Sequence, residues 1–246
     1  MFVHCSLVIL ILTLGGQVHT EEISGGHEAA AHSRPYMALL KLYTQNKKTK
    51  HCGGFLLNED FVMTAAHCQA ESYNVLLGVH DIHNTDEIQT ISVEQACPHK
   101  DYNAANYMND IMLLKLSSKA NISQNVKPID LAGQSDGSLP KSCSVSGWGK
   151  TSQNAGPLSN VLMEVNVTLI DSKQCAEKNS YCSEGGKGPC PGDSGGPLVC
   201  EDVKAYGVVS AGITQNNMPI KYFVKIPDYS SWIDSVMKHE KCVTAN

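Results

Sequence analysis

The sequence has few aromatic residues and few charged residues. Aromatic residues make up 6% and charged residues 17% of the 246 residues, and the net charge is −5. This balance gives no support for nucleic-acid binding, which requires a concentrated basic surface. The chain also contains no internal repeat and no low-complexity segment, so a repeat architecture is not indicated.

Long hydrophobic runs are also scarce, and the one that stands out lies at residues 7–14, before Gly15 and Gly16. Eight residues cannot span a bilayer, so we predict a cleaved secretory signal peptide over residues 1–20 and no membrane span. The compartment implied by this reading is the secretory pathway.

Cysteine is abundant, and ten cysteines in a secreted chain predict disulfide bonds. Cys5 would leave with the signal peptide, and an odd number of cysteines would remain. At least one of them therefore lacks a disulfide partner within the chain. Two sequons, at Asn121 and Asn166, are candidate glycosylation sites in that compartment.

Short apolar runs separated by turn residues predict an all-β protein, a barrel or a sandwich, with functional residues on the connecting loops. The runs cover residues 37–42, 75–79, 88–93, 111–116, 161–170, 206–210 and 222–226. The end of the chain differs, because four apolar residues after Pro227 fall on one helical face and predict a terminal helix. They are Trp232, Ile233, Val236 and Met237.

Three separated motifs carry residues for nucleophilic catalysis. Ser194 lies in the hexapeptide Gly-Asp-Ser-Gly-Gly-Pro, where glycines allow a tight turn and bring amides close to a substrate carbonyl. His67 lies in Thr-Ala-Ala-His-Cys, and Asp110 in Asn-Asp-Ile-Met-Leu-Leu. The order His, Asp, Ser is that of the chymotrypsin-type triad.

With these motifs, the chain from Ile23 to the terminal helix resembles the chymotrypsin-fold serine peptidases, in particular granzymes and mast-cell proteases. Further matching segments are Cys-Gly-Gly-Phe-Leu at 52–56 and Ser-Gly-Trp-Gly at 146–149. The resemblance implies a peptidase domain at 23–246 with two six-stranded antiparallel β-barrels, at about 23–125 and 126–228. A C-terminal helix would follow at about 229–241, and the active site would lie between the barrels.

The resemblance also implies roles for individual residues. Ser194 would be the nucleophile, His67 the general base and Asp110 the group that orients His67. The amides of Gly192 and Ser194 would form the oxyanion hole, and Ser210 would hydrogen-bond Asp110. No cofactor and no metal are implied.

Activation is implied by the acidic dipeptide at residues 21–22, which resembles that of the granzymes. Its removal by a dipeptidyl peptidase would expose the amino group of Ile23, which would pair with Asp193. The same likeness implies storage in cytoplasmic granules, protein or peptide substrates, and serpin-type inhibitors.

Primary specificity remains open between two alternatives. Gly188 occupies the position where trypsin-like members carry Asp, which argues against cleavage after Lys or Arg. Lys221 aligns with a pocket arginine of granzyme B, so cleavage after acidic residues is one prediction. A Lys221 side chain turned away would instead give chymase-like cleavage after apolar residues. Ser210 and Gly212 would also line the substrate site.

The resemblance predicts the disulfides Cys52–Cys68, Cys143–Cys200 and Cys175–Cys182. Cys97 and Cys242 are a conceivable fourth pair if the terminal helix packs on the first barrel. The last pair of the three encloses a shorter segment than is usual in the family, which puts closure of the second barrel in question. A protein of another class, a non-catalytic binding protein with the same fold, is therefore the alternative to an active peptidase.

Overall fold

The computed structural model describes residues 25–239 and 242, except 47, 87, 135–138, 141, 151–156 and 201. The predicted signal peptide (1–20), the dipeptide (21–22) and Ile23 lie outside the described residues. In the described part of the chain, no helix is long and apolar enough to cross a membrane.

Six antiparallel strands of the first half close into a barrel in the order β2-β3-β4-β7-β6-β5. Its strands are β2 (Met37–Tyr43), β3 (Thr49–Leu56), β4 (Phe61–Thr64), β5 (Ser72–Leu77), β6 (Gln89–Pro98) and β7 (Met112–Leu116). A short strand, β1 (His27–Glu28), precedes them and pairs with the second half of the chain.

The second half forms another closed ring, β8-β9-β10-β13-β12-β11, in which β8 also pairs with β9. Its strands are β8 (Ser142–Gly147), β9 (Met163–Ile170), β10 (Ser180–Glu184), β11 (Pro197–Cys200), β12 (Ala205–Gln215) and β13 (Met218–Lys225). The prediction of an all-β fold with two six-stranded antiparallel barrels is thus confirmed.

The residue pattern of β9 shows why these segments become barrel strands. Along Met163–Ile170 the residues Met163, Val165, Val167 and Leu169 are buried, and the residues between them are exposed or half-buried. A period of two places one row in the barrel core and the other outside it. Strand β7 has instead three consecutive buried residues, which is typical of a strand covered on both faces.

The second barrel closes even though Cys175 and Cys182 are only seven positions apart. A short helix, α1 (Lys173–Glu177), fills the link. Strand β10 then follows and pairs at five positions with β13 and at two with β9. The short segment is therefore long enough to keep β10 paired on both sides.

The last helix in the described part of the chain is α2 (Ser230–His239), preceded by a 3₁₀ turn over Ile226–Tyr229. Ile233 and Val236 are buried in the same core cluster as the first barrel. Trp232 and Met237 pack against that cluster with partial burial. The predicted apolar face is thus the face that contacts the core, and a disulfide between Cys97 and Cys242 ties the end of the chain to β6.

Removal of the Cys97–Cys242 bridge should lower the free energy of unfolding by about 2–4 kcal/mol, because it closes a loop of 145 residues in the unfolded chain. The test compares urea unfolding of the wild type with that of a Cys97→Ala, Cys242→Ala variant. The matched control removes Cys175 and Cys182, whose separation is seven residues. Because this second bridge closes a much shorter loop, its removal should lower the free energy of unfolding by about 2–3 kcal/mol less. Equal losses in the two variants would contradict the entropic argument.

Candidate active site

The side chains of His67 and Asp110 meet at the edge of the first barrel that faces the second. Nδ1 of His67 lies 2.7 Å from Oδ2 of Asp110, and the backbone N–H of His67 donates to Oδ1 at 2.8 Å. Asp110 is fully buried, whereas 22% of the His67 side chain is exposed. The carboxylate thus fixes the orientation of the imidazole and leaves its other nitrogen toward the cleft.

The second barrel contributes a third contact to the same carboxylate. Ser210, in β12, donates its Oγ–H to Oδ2 of Asp110 at 2.5 Å, and Ser210 is itself buried. Three hydrogen bonds from both barrels therefore satisfy Asp110, so its negative charge is compensated despite burial.

Local backbone structure and a few tertiary contacts position both residues. His67 lies in a 3₁₀ turn, Ala66–Cys68, and the disulfide Cys52–Cys68 fixes this turn to β3. Asn109 has a left-handed backbone (φ 55°) immediately before Asp110, and its Oδ1 accepts a hydrogen bond from the Tyr229 hydroxyl at 2.9 Å. The 3₁₀ turn that precedes helix α2 thus supports the loop that carries Asp110.

Ser194 lies in the same cleft as His67. The loop that carries it is fixed on both sides, because the Ser194 carbonyl accepts from Gly53 N–H at 2.7 Å and the Pro191 carbonyl accepts from Lys150 N–H at 2.8 Å. In a trans peptide the C=O and the next N–H point in opposite directions. The N–H of Gly192 therefore points away from Lys150. Gly192 has φ +108°, a conformation that favours glycine.

The cleft between the barrels has a volume of about 440 Å³. His67 and Tyr107 line it from the first barrel. The second barrel contributes residues of the Ser194 loop and of β12 and β13, namely Pro189, Cys190, Pro191, Ser194, Val209, Ser210, Ala211, Gly212, Ile213, Thr214, Pro219 and Lys221. The site residues predicted from the motifs thus meet across an interface that neither barrel could form alone.

Lys221 lies in β13 rather than in a loop, is half-buried, and lines the cleft. A Cβ added to Gly212, its partner in β12, would lie 3.2 Å from Cδ and 3.6 Å from Nζ of Lys221. A Cβ on Gly188 would lie 3.5 Å from its Cγ, and Gly188 has φ +138°. Gly212 therefore leaves room for the lysine side chain, whose ammonium lies over this glycine.

Asp193 is a second fully buried carboxylate close to Ser194. It accepts hydrogen bonds from Gly149 N–H at 2.7 Å and from Cys190 N–H at 2.8 Å. Burial raises its pKa to about 6, although these two bonds and, more weakly, the positive charge of Lys221 lower it. Its proposed partner Ile23 lies outside the described residues.

The structure joins Cys52 to Cys68, Cys143 to Cys200 and Cys175 to Cys182, in addition to Cys97–Cys242. The sulfurs of Cys52 and Cys68 and a ring nitrogen of His67 come within 4.8 Å of one another, which resembles a metal-ligand cluster. Because both sulfurs belong to one disulfide, they offer no thiolate to a metal.

Comparison with known families agrees with this geometry. The family model described as Trypsin matches residues 23–233. The chain belongs to the trypsin family. Granzyme B(G,H) of Mus musculus and granzyme B of Homo sapiens are each 42% identical to it over 245 residues, covering 94% of this chain and 98% of theirs.

Two further comparisons extend the likeness. Duodenase-1 of Bos taurus is 41% identical over 247 residues, which cover 96% of this chain and 97% of the relative. A solved structure of GrC has a TM-score of 0.79 and 39% identity, and covers 87% of this chain and 99% of that one. The chain is thus a granzyme-like serine endopeptidase, which confirms the predicted enzyme class.

Sequence reasoning missed Tyr107 as a residue of this trypsin-family cleft. Its ring lies edge-on to His67, with centroids 5.7 Å apart and planes at 79°, and it is 44% exposed. Tyr107 has a left-handed backbone (φ 57°) within an Asn-rich loop. An isolated tyrosine in a polar loop gives no periodic signal, so only the folded loop reveals its position.

In a chain that begins at Glu21, the stability should fall as the pH rises from about 4 to about 7 because of Asp193. Its carboxyl has a pKa of about 6 when folded, against 3.8 ordinarily, so folding favours the protonated form. This stability is fully present below the unfolded pKa and is lost as the pH rises through the folded pKa, by about 2–3 kcal/mol in all.

Urea unfolding across this pH range measures the effect as the difference between the parent chain and its Asp193→Asn variant. The subtraction removes contributions from other titrating groups. A difference that stays constant with pH would contradict the assigned shift.

Proposed function

We propose that this cleft hydrolyses peptide bonds of protein substrates through a covalent acyl-enzyme formed on Ser194. His67 takes the proton of the Ser194 hydroxyl and then protonates the leaving amine, and Asp110 stabilises the imidazolium that forms. The observation that carries the proposal is the buried Asp110, bonded twice to His67, with Ser194 in the same cleft.

The oxyanion of the tetrahedral intermediate would be held by the N–H groups of Gly192 and Ser194. The orientation of the 191–192 peptide supports this role, because its carbonyl is engaged by Lys150 and its N–H is directed away from that residue. Preorganised donors of this kind lie where negative charge develops in the transition state. Each lowers the activation free energy by about 3–4 kcal/mol. Water would then hydrolyse the acyl-enzyme with His67 again as base.

We propose that the chain consists of a signal peptide at 1–20, an activation dipeptide at 21–22 and a peptidase domain at 23–246. Release of the dipeptide by a dipeptidyl peptidase would give Asp193 an ammonium partner at Ile23. The raised pKa of Asp193 supports this, because an unpaired buried carboxylate is costly and its pairing can order the neighbouring loop. The pH scan described above, repeated on a chain beginning at Ile23, should lose its downward slope.

The same proposal includes secretion, storage in granules and regulation by serpin-type inhibitors. These features follow from the granzyme likeness and not from the geometry. Immunolocalisation in the producing cell, and formation of a covalent complex with a serpin whose reactive loop carries an acidic residue, test them separately.

The cleft favours substrates with an acidic side chain before the cleaved bond. The aliphatic part of the Lys221 side chain lies beside Gly188, and its ammonium lies beside Gly212 at the cleft. A substrate Asp or Glu would exchange water for a partly buried ion pair. An apolar substrate would desolvate the ammonium without pairing it, at a cost of roughly 3–5 kcal/mol.

Ser194→Ala should lower kcat on peptide substrates on the order of 10⁶-fold, because the acyl-enzyme cannot form. His67→Ala should be about as severe, and the double variant should be no worse than either. Turnover assays and labelling by a fluorophosphonate check both points. Retention of a tenth of the activity by Ser194→Ala would overturn the assignment, and an unlabelled wild type would favour the non-catalytic alternative.

Lys221→Gly should erase a preference of about 10²–10³ for acidic over apolar residues before the cleaved bond. A substrate library that compares Asp and Glu with Leu, Met and Phe measures the ratio of kcat/KM values. Lys225→Gly is the matched control, since Lys225 lies in the same strand but stacks on Tyr181 at 5.3 Å. A parent enzyme that already prefers apolar residues, with no change in Lys221→Gly, would establish the chymase-like alternative.

A further inference from the structure

His80 lies outside the active site and has one ring nitrogen engaged and the other without a partner. Its Nε2 lies 3.0 Å from the Glu28 carboxylate. Its Nδ1 is buried and makes no hydrogen bond to any described residue. Only 13% of the side chain is exposed. A buried nitrogen without a partner is costly, which makes this atom a candidate ligand.

The contact with Glu28 fixes which nitrogen carries the proton. A carboxylate only accepts hydrogen bonds, so the neutral His80 ring is protonated at Nε2 and presents a lone pair at Nδ1. A carboxylate bonded to the far nitrogen of a histidine is the arrangement that orients histidine ligands of zinc and raises their basicity. His80 therefore has the tautomer and the supporting residue of a metal ligand before any metal binds.

A second imidazole lies beside it. The ring centroid of His32 is 6.1 Å from that of His80, with the planes at 52°. His32 is half-buried and lies in a turn, between β1 and β2. For Zn–N bonds of about 2.0–2.1 Å in tetrahedral geometry, two imidazoles on one ion have centroids about 5 Å apart. The separation of the His32 and His80 centroids exceeds that value by about 1 Å.

We propose that His32 and His80 bind a zinc ion, with Glu28 as the residue that orients His80. Imidazole nitrogens suit Zn²⁺, and binding requires a small movement of the rings that opens the buried Nδ1 of His80 to the ion and to water in its remaining positions. Such a site binds more weakly than a closed four-ligand site and exchanges its metal.

This position connects the metal to the segment that holds Asp193. The His80 carbonyl accepts hydrogen bonds from Trp148 Nε1 at 3.1 Å and from Leu162 N–H at 2.9 Å. The next residue after Trp148 is Gly149, which donates to Asp193. A zinc ion at His80 would thus restrain both the first residues of the described chain and this segment, and we expect it to change peptidase activity.

The test is calorimetric titration of the protein with ZnCl₂ in a non-chelating buffer, with CoCl₂ as a spectroscopic substitute. The expected result is one site with the visible absorption of tetrahedral Co²⁺. His32→Asn and His80→Gln should each abolish it. Glu28→Gln should weaken zinc binding by about 10–100-fold, because the oriented carboxylate is lost.

His83→Asn is the matched control, since His83 is an exposed histidine three positions from His80. It should bind zinc as the wild type does. If His80→Gln does not fold, His32→Asn and the Co²⁺ spectrum decide. Zinc binding that survives both histidine variants, or that is lost in His67→Ala, would place the metal elsewhere and overturn the proposal.

Discussion

The hydrogen bonds to the buried carboxylate of Asp110 are the interactions around which the active-site cleft is arranged. An ionised carboxylate without partners in a protein interior costs several kcal/mol, so the fold must supply donors to it. Two come from His67 and one from Ser210, which lies in the other barrel. The same buried carboxylate therefore holds the two barrels together, through Ser210, and orients the imidazole of His67.

Asp193 has the same burial but a different solution. Its two donors are backbone N–H groups of the loops beside it, and burial still raises its pKa to about 6. Asp110 is satisfied entirely by groups that the fold itself positions. Asp193 has two such donors, and burial still leaves its pKa raised, which is why we propose an additional positive charge as its partner in the activated chain. A buried group of this kind is suited to respond to a change elsewhere in the chain, such as the exposure of a new amino terminus.

Much of this architecture could be predicted from local sequence. The apolar run at 161–170 predicted a strand, which the structure has over Met163–Ile170, and the apolar face of 232–237 predicted the terminal helix. The family likeness supplied two barrels from matched motifs. The short segment between Cys175 and Cys182 put closure of the second barrel in question, yet β10 still pairs on both sides. The hydrogen bonds between neighbouring strands need only a few residues of extended backbone. A short segment can therefore still supply β10.

The sequence by itself identified Ser194, His67 and Asp110 as the candidate triad, because each lies in a motif of contiguous residues. The glycines beside Ser194, the cysteine beside His67 and the apolar run after Asp110 are all visible in the sequence. Only the tertiary structure decided what surrounds them. Tyr107 reaches His67 from a left-handed position in a polar loop, and the ammonium of Lys221 lies over Gly212 in the neighbouring strand. These contacts join residues far apart in the chain, and their energies depend on burial, which exists only once both barrels have packed.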